Sequence, residues 1–195
     1  MTGAIVLAAG RSSRMGRSKI MLPLGTRPVL AWTLDHVLAA GIEDIVLVTG
    51  PDTPDPVAVI GEAPVRLAHN PRAREGMSTS IQVGLLALHP ATDAAFVVLA
   101  DQPTIGPDIY RALLERYMAG QPAIVAPVYR GEQGNPVLFD RSVFAELFGL
   151  EGDVGGRAVI RRDPARLAQV DIDRDPPPDV DTPDAYRRLA ADWPH

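Results

Sequence analysis

The chain of 195 residues carries 24 acidic against 19 lysine and arginine side chains, a net charge of −5, and no cysteine. That length suffices for one α/β domain with a sizeable core, expected here to span residues 1–195. The charge argues against a nucleic-acid binder, the absence of cysteine excludes disulfides and thiolate metal sites, and no apolar run reaches membrane-spanning length.

Residues 4–9 are all apolar, with β-branched Ile5 and Val6, the composition of a strand covered on both faces. No basic n-region or cleavage site precedes it, so the expected location is cytoplasmic. The strand breaks at Gly10, where the backbone can turn sharply and approach a ligand closely. Arg11, Ser12, Ser13, Arg14, Met15, Gly16, Arg17, Ser18 and Lys19 follow. A strand opening into a glycine-containing cationic loop is how α/β proteins present N–H groups and positive charge to phosphates. Five residues separate Gly10 from Gly16, and Lys19 comes three later, so neither a Walker A loop nor the dinucleotide fingerprint is present. Lys19 is the only lysine in a chain that otherwise uses arginine, which suggests a need for a compact point charge. Solvated arginines on an ordinary loop would leave the same local pattern. Ser12 and Ser13 have no adjacent base in sequence, so a serine nucleophile is disfavoured.

Apolar residues at helical spacing predict a helix over 29–40, stopped by Gly41. Residues 45–48 read as a second strand and the proline-rich 50–64 as a loop with at most a short helix. A third strand is expected over 65–68, a helix over 77–88, and a strongly apolar fourth strand over 94–100. Then come a helix at 109–118, strands at 123–128 and 136–139, helices at 142–148 and 154–162, a strand at 166–172 and a closing helix at 183–192. The run Pro176-Pro177-Pro178 is expected to stiffen a loop over the sheet edge. The four histidines, His36, His69, His89 and His195, form no metal-ligand spacing. Strands alternating with helices predict an α/β fold, a mainly parallel sheet with helices on both faces. Ligands of such sheets bind beyond the carboxyl ends of the strands, which gathers the loops after the first, third, fourth and fifth strands around one site.

Taken alone, Asp101, at the carboxyl end of a buried strand and ahead of Gln102-Pro103, is equally a Mg²⁺ ligand or a turn aspartate. Asn70-Pro71 with Gly76-Met77-Ser78-Thr79-Ser80 suits helix capping or contact with a nucleobase. Asp153 suits the N-terminus of the following helix. Asp179 and Asp181 point the same way if their segment is extended; Asp181 or Thr182 would equally cap the helix that starts at Pro183.

Together these motifs resemble a known family. L-A-A-G-x-S-x-R-M-G-x-x-K at 7–19, N-P-x-x-x-x-G-M-x-x-S at 70–80, L-A-D-Q-P at 99–103, G-D-x-G-x-R at 152–157 and D-x-D-T-P at 179–183 are similar, in the same order, to those of the MobA-like nucleotidyltransferases, especially the molybdenum cofactor cytidylyltransferases. The resemblance implies a Rossmann-like three-layer sandwich of the nucleotide-diphospho-sugar transferase type. It implies that Lys19, Arg14 and Asp101 are catalytic. Leu7, Ala8, Ala9, Gly10, Arg11, Ser12, Arg14 and Lys19 would bind the nucleotide from the first loop, and Asn70, Gly76, Ser78 and Ser80 from the second. Gln102, Asn135, Asp153 and Arg157 would bind the acceptor. Mg²⁺ would sit on Asp101 and Asp181, with Asp179 the alternate. Asn135 replaces the family's histidine and cannot carry a proton at neutral pH. Ala9 stands where guanylyltransferases tend to have glycine, which implies CTP. The implied reaction moves CMP from CTP to a molybdopterin-type phosphorylated acceptor and releases pyrophosphate, with a molybdoenzyme as client. Rival readings are the same chemistry on another phosphorylated acceptor, a cofactor carrier, or an oxidoreductase on this fold.

Overall fold

The computed structural model describes residues 1–10 and 18–193. It opens with strand β1 (Thr2–Leu7). A 3-10 turn at Lys19–Met21 leads into a hairpin of β2 (Pro23–Leu24) and β3 (Arg27–Pro28), followed by helix α1 (Val29–Ala39). Strand β4 (Asp44–Thr49), the short helix α2 (Val57–Ile60) and β5 (Val65–His69) come next, then α3 (Met77–Ala87) and β6 (Ala94–Leu99). Helix α4 (Pro107–Gly120) precedes β7 (Ile124–Tyr129), β8 (Glu132–Gln133) and β9 (Val137–Asp140). The chain ends with α5 (Phe144–Phe148), α6 (Arg157–Arg162), β10 (Leu167–Ile172) and α7 (Pro183–Asp192).

The main sheet runs β10-β7-β9-β6-β1-β4-β5, with β8 beside β7. Strands β6, β1, β4 and β5 are mutually parallel, as are β7 and β10, and β9 is inserted antiparallel between β6 and β7. Ile5 lies opposite Val46 on one side and Val97 on the other. From β1 the chain builds outward through β4 to β5, then returns to the opposite side of β1 for β6. The connections therefore diverge at the β1–β6 boundary and leave a crevice beyond its carboxyl ends.

Successive residues of the central strands alternate between the two faces. Ala4, Val6, Phe96 and Val98 pack with Leu30 and Leu34 of α1 and Leu113 of α4. Ile5, Val46 and Ala95 pack on the opposite face with α3 and Phe144. Both faces are covered, which is why these strands read as unbroken apolar runs. Helix α3 lies directly on β1 at Gly84, where an added Cβ would come within 2.2 Å of the Ile5 Cγ2.

The tail is tied down separately. Val180 is buried with Leu22, Leu24 and Val29 of the hairpin region, and Tyr186, Leu189 and Trp193 pack around them. Trp32 and Trp193 have ring centroids 5.4 Å apart.

Several boundaries differ from expectation. Strand β1 ends at Leu7 rather than Ala9, although the Ala8 N–H still donates to the Val48 carbonyl at 2.9 Å. Helix α6 starts at Arg157, not 154, because Gly155 and Gly156 disfavour helix. The segment expected as a helix at 142–148 begins as a 3-10 turn, Arg141–Val143, stabilised by the Ser142 N–H donating to Asp140. The hairpin of β2 and β3 and the short β8 carry no periodicity long enough to predict.

Candidate active site

Two adjoining cavities open beyond the carboxyl ends of β1 and β6. The first, about 530 Å³, is lined by Leu7, Ala8, Ala9 and Gly10, by Lys19, by Arg74, Gly76 and Ser80 around the start of α3, and by Asp101 and Asp181. The second, about 540 Å³, is lined by Gln102, by Gln133 and Asn135, by Gly155 to Arg157 and Arg161, and by Pro176 and Pro177. Met77, Leu99, Asp153 and Asp179 line both. Adjacent residues after β6 are thus divided, Asp101 to the first cavity and Gln102 to the second.

Three segments distant in sequence, at Lys19, at Asp101–Gln102 and at Asp179–Asp181, meet beside these shared residues. Lys19 lies in the 3-10 turn anchored by buried Ile20, and its side chain is only 17% exposed. The ammonium is ion-paired with Oδ2 of Asp101 and with Oδ1 of Asp181, the latter at 2.5 Å. Burial works against its charge, but Asp101 and Asp181 outweigh that and hold Lys19 above the usual lysine range. Asp181 and Asp179 flank buried Val180, so one alternation sends the valine into the hairpin cluster and both carboxylates into the cavity. Thr182 caps α7 by accepting from the Ala185 N–H, and Asp181 is left to the site.

Asp179 accepts from Gln102 Nε2 at 2.6 Å, and Gln102 Oε1 accepts from Asn135 Nδ2 at 3.3 Å. The Asn135 carbonyl accepts from the Tyr129 hydroxyl at 2.7 Å. Burial raises the Asp179 carboxyl above its usual range, opposed by the Gln102 hydrogen bond and reinforced by the charges of Asp101 and Asp181. Among the described residues, three carboxylates therefore face one ammonium, leaving an excess of negative charge that a divalent cation would neutralise. Among those same residues, no three metal-binding side chains converge on one point. A cation here would be held by one or two carboxylates, with water and substrate phosphate completing the shell, the arrangement magnesium prefers. The donor set fits a hard divalent cation.

The other expected residues fall into three groups. Leu7, Ala8, Ala9, Gly10, Gly76 and Ser80 line the first cavity, and Asn135 and Arg157 the second. Asn70 and Ser78 line neither. Asn70 is buried, its amide donating to Thr79 and Ser80 at 2.9 Å and its Oδ1 accepting from the Arg72 N–H. Ser78 Oγ donates to the Gly152 carbonyl at 2.8 Å. These two shape the loop around the cavity rather than face it. Asp153 caps a different helix from the one expected: it accepts from the Met77 N–H at the start of α3, at 3.3 Å. Arg11, Ser12 and Arg14 lie outside the described residues. Sequence reasoning missed Arg161, one helical turn beyond Arg157. The proline run, expected over the sheet edge, follows edge strand β10, and Pro176 and Pro177 also line the second cavity.

The family model for the MobA-like NTP transferase domain matches residues 4–170. The chain belongs to the MobA-like NTP transferase family. It is similar to the molybdenum cofactor cytidylyltransferase of Escherichia coli (strain K12), with 30% identity over 70% of this chain and 69% of that one. It is also similar to the purine catabolism protein PucB of Bacillus subtilis (strain 168), at 27% identity over 93% and 92% of the two chains. The crystal structure of Rv0371c from Mycobacterium tuberculosis H37Rv superposes with a TM-score of 0.86, at 32% identity over 97% of each chain. Rv0371c has also been solved as a manganese complex, which matches at TM-score 0.79 and 29% identity over 98% of each chain. Its MobA-like fold is of the nucleotide-diphospho-sugar transferase type, as expected. Among the described residues no helix is long and apolar enough to cross a membrane.

Proposed function

We propose that this MobA-like nucleotidyltransferase catalyses the Mg²⁺-dependent, cytoplasmic transfer of CMP from CTP to a molybdopterin-type acceptor, with release of pyrophosphate. The observation that carries the reading is the wall shared by the two cavities. Asp101 faces the cavity of β1 and Lys19, while the next residue, Gln102, faces the cavity of Asn135 and Arg157. A nucleotide in the first and a phosphorylated acceptor in the second would meet at that wall.

The acceptor's terminal phosphate oxygen attacks the α-phosphorus, the new P–O bond forms, and the bond to the β-phosphate breaks to release pyrophosphate. Such a transfer needs positioning and charge neutralisation more than a covalent nucleophile. Lys19 and, from the first loop, Arg14 balance the triphosphate. Ala9, Gly10, Gly76 and Ser80 form the walls around the nucleoside. Gln102, held by Asp179 and Asn135, presents a fixed amide to the acceptor, and Arg157 and Arg161 supply positive charge in the same cavity. Mg²⁺, held by Asp101 and Asp181, would supply charge neutralisation at the reacting phosphates. The manganese complex of Rv0371c supports a divalent cation, and the Escherichia coli relative supports CTP and the molybdenum cofactor. Asparagine at 135 favours one second reading, the same chemistry on a different phosphorylated acceptor.

The test is pyrophosphate release from each of the four nucleoside triphosphates with Mg²⁺ and molybdenum cofactor, on the parent and on Asp101→Asn. CTP should be preferred, and the variant should lose ~100-fold or more in turnover, only part of it restored by raised Mg²⁺. A variant with the parent's Mg²⁺ dependence would remove Asp101 from the metal site. Release only with another acceptor would select the second reading.

A further inference from the structure

Lys19 and the metal are assigned to the same two carboxylates. The ammonium is ion-paired with one oxygen of Asp101 and one of Asp181. Magnesium demands oxygen ligands at about 2.0–2.1 Å in near-octahedral order, and a dication so placed would repel an ammonium on the same carboxylates. The nucleotidyltransferase reading also needs Lys19 elsewhere, on the triphosphate. Its flexible four-carbon stem allows the ammonium to move while the 3-10 turn, anchored by buried Ile20, stays in place.

Resting on that reading, we infer that Lys19 is the resident counter-ion of the Asp101–Asp181 pair, and that the divalent cation exchanges with it. The seated ammonium relieves repulsion among the carboxylates of the unloaded wall. Cation entry displaces it into the first cavity, where the triphosphate takes it up. The coupling is reciprocal: a nucleotide that draws Lys19 away raises the affinity for the cation by the factor that the cation raises the affinity for the nucleotide. If the ammonium is seated in about 90% of molecules, the apparent cation Kd is about tenfold weaker than that of the open site.

Because Lys19 is the only lysine, amine acetylation followed by mass spectrometry reads its release directly, with the α-amine, paired with Asp93, as internal reference. Mn²⁺ alone should raise the Lys19 labelling rate about fivefold or more in the parent, and CTP added with Mn²⁺ should reverse the gain. In parallel, electron paramagnetic resonance of free Mn²⁺ should show Lys19→Met binding the ion about tenfold more tightly than the parent without nucleotide, and gaining less than the parent does when CTP is added. The labelling arm uses the parent and does not depend on how the variant folds. Bound Mn²⁺ that leaves the labelling rate unchanged overturns the exchange, even if Lys19→Met binds more tightly. Mn²⁺ that fails to bind the parent even with CTP overturns the nucleotidyltransferase reading itself, and the exchange with it.

Discussion

Replacing Gly76 with alanine should cost far more than the same change at Gly152, although both have positive φ. Gly76 has φ +126 and ψ 169, a region open essentially to glycine alone, so any side chain there costs of order 1–3 kcal/mol. A Cβ at Gly76 would also lie 2.2 Å from the carbonyl carbon and oxygen of Gly152 and 2.5 Å from the Asp153 nitrogen. Those are backbone atoms that cannot rotate away, so the 152–153 segment would have to leave the start of α3. It would lose the bonds from Ser78 Oγ and the Ser78 N–H to the Gly152 carbonyl, and from the Met77 N–H to Asp153. At about 1 kcal/mol for each of these three bonds plus the backbone strain, Gly76→Ala should destabilise by about 4–6 kcal/mol, lowering Tm by ~8–24 °C in a chain of this size. Gly152 has φ +70 with open space around its missing Cβ. Gly152→Ala should cost only about 1 kcal/mol, or ~2–4 °C. Calorimetric melts of both variants decide; equal and small shifts would mean that the close approach of these two loops does not hold the cavity wall.

Asp44, the first residue of β4, is a buried carboxylate accepting from the Thr92 hydroxyl at 2.6 Å and the His89 N–H at 2.8 Å, and ion-paired with Arg66. Burial pushes its carboxyl up, but these donors outweigh burial and hold it below the usual range. Its contribution is therefore present above the unfolded pKa of about 3.9 and lost as pH falls through the lower folded value. Asp44→Asn should destabilise by ~2–3 kcal/mol at pH 7 in urea melts, with the gap narrowing below about pH 4; a gap independent of pH would refute the assignment. Ala9→Gly should relax a CTP-over-GTP preference of ~10- to 100-fold without inverting it, because the Gly76–Ser80 wall remains. Steady-state kinetics with both nucleotides check this, and a parent that prefers GTP would overturn the cytidylyl assignment.

The layered sheet is legible because its central strands β1, β4, β6 and β7 are buried on both faces. Ala4 to Leu7 and Ala94 to Leu99 leave no polar residue to interrupt the apolar run, and glycine or proline punctuates the connections. The β2–β3 hairpin was not legible, since two-residue strands carry no period. Its consequence reaches the site: the hairpin region buries Val180, and this sets the direction of Asp179 and Asp181. The period-two spacing of those aspartates was visible in the sequence, but the apolar partner that makes them turn together was not.

Local reasoning erred wherever a polar side chain had two possible partners, one near in sequence and one far. Asp153 was read as serving the helix just after it, yet it accepts from Met77 across a separation of 76 residues. Lys19 is expected to face phosphate from the first loop, yet its ammonium is paired with two carboxylates, one of them 162 residues away. Asn70 shows the converse. The resemblance implies a place at the nucleotide, and the local alternative, a loop-shaping role, is visible in its bonds to Arg72, Thr79 and Ser80. In each case the residue type was informative about chemistry and silent about direction. Direction comes from where the layers place the loop: Gly84 seats α3 on β1, which brings the start of α3 against the same cavity as Ala9 and Gly10. A carboxylate or lysine in these loops faces a ligand only if packing elsewhere has already consumed the alternatives, as Thr182 does by capping α7 and leaving Asp181 to the site.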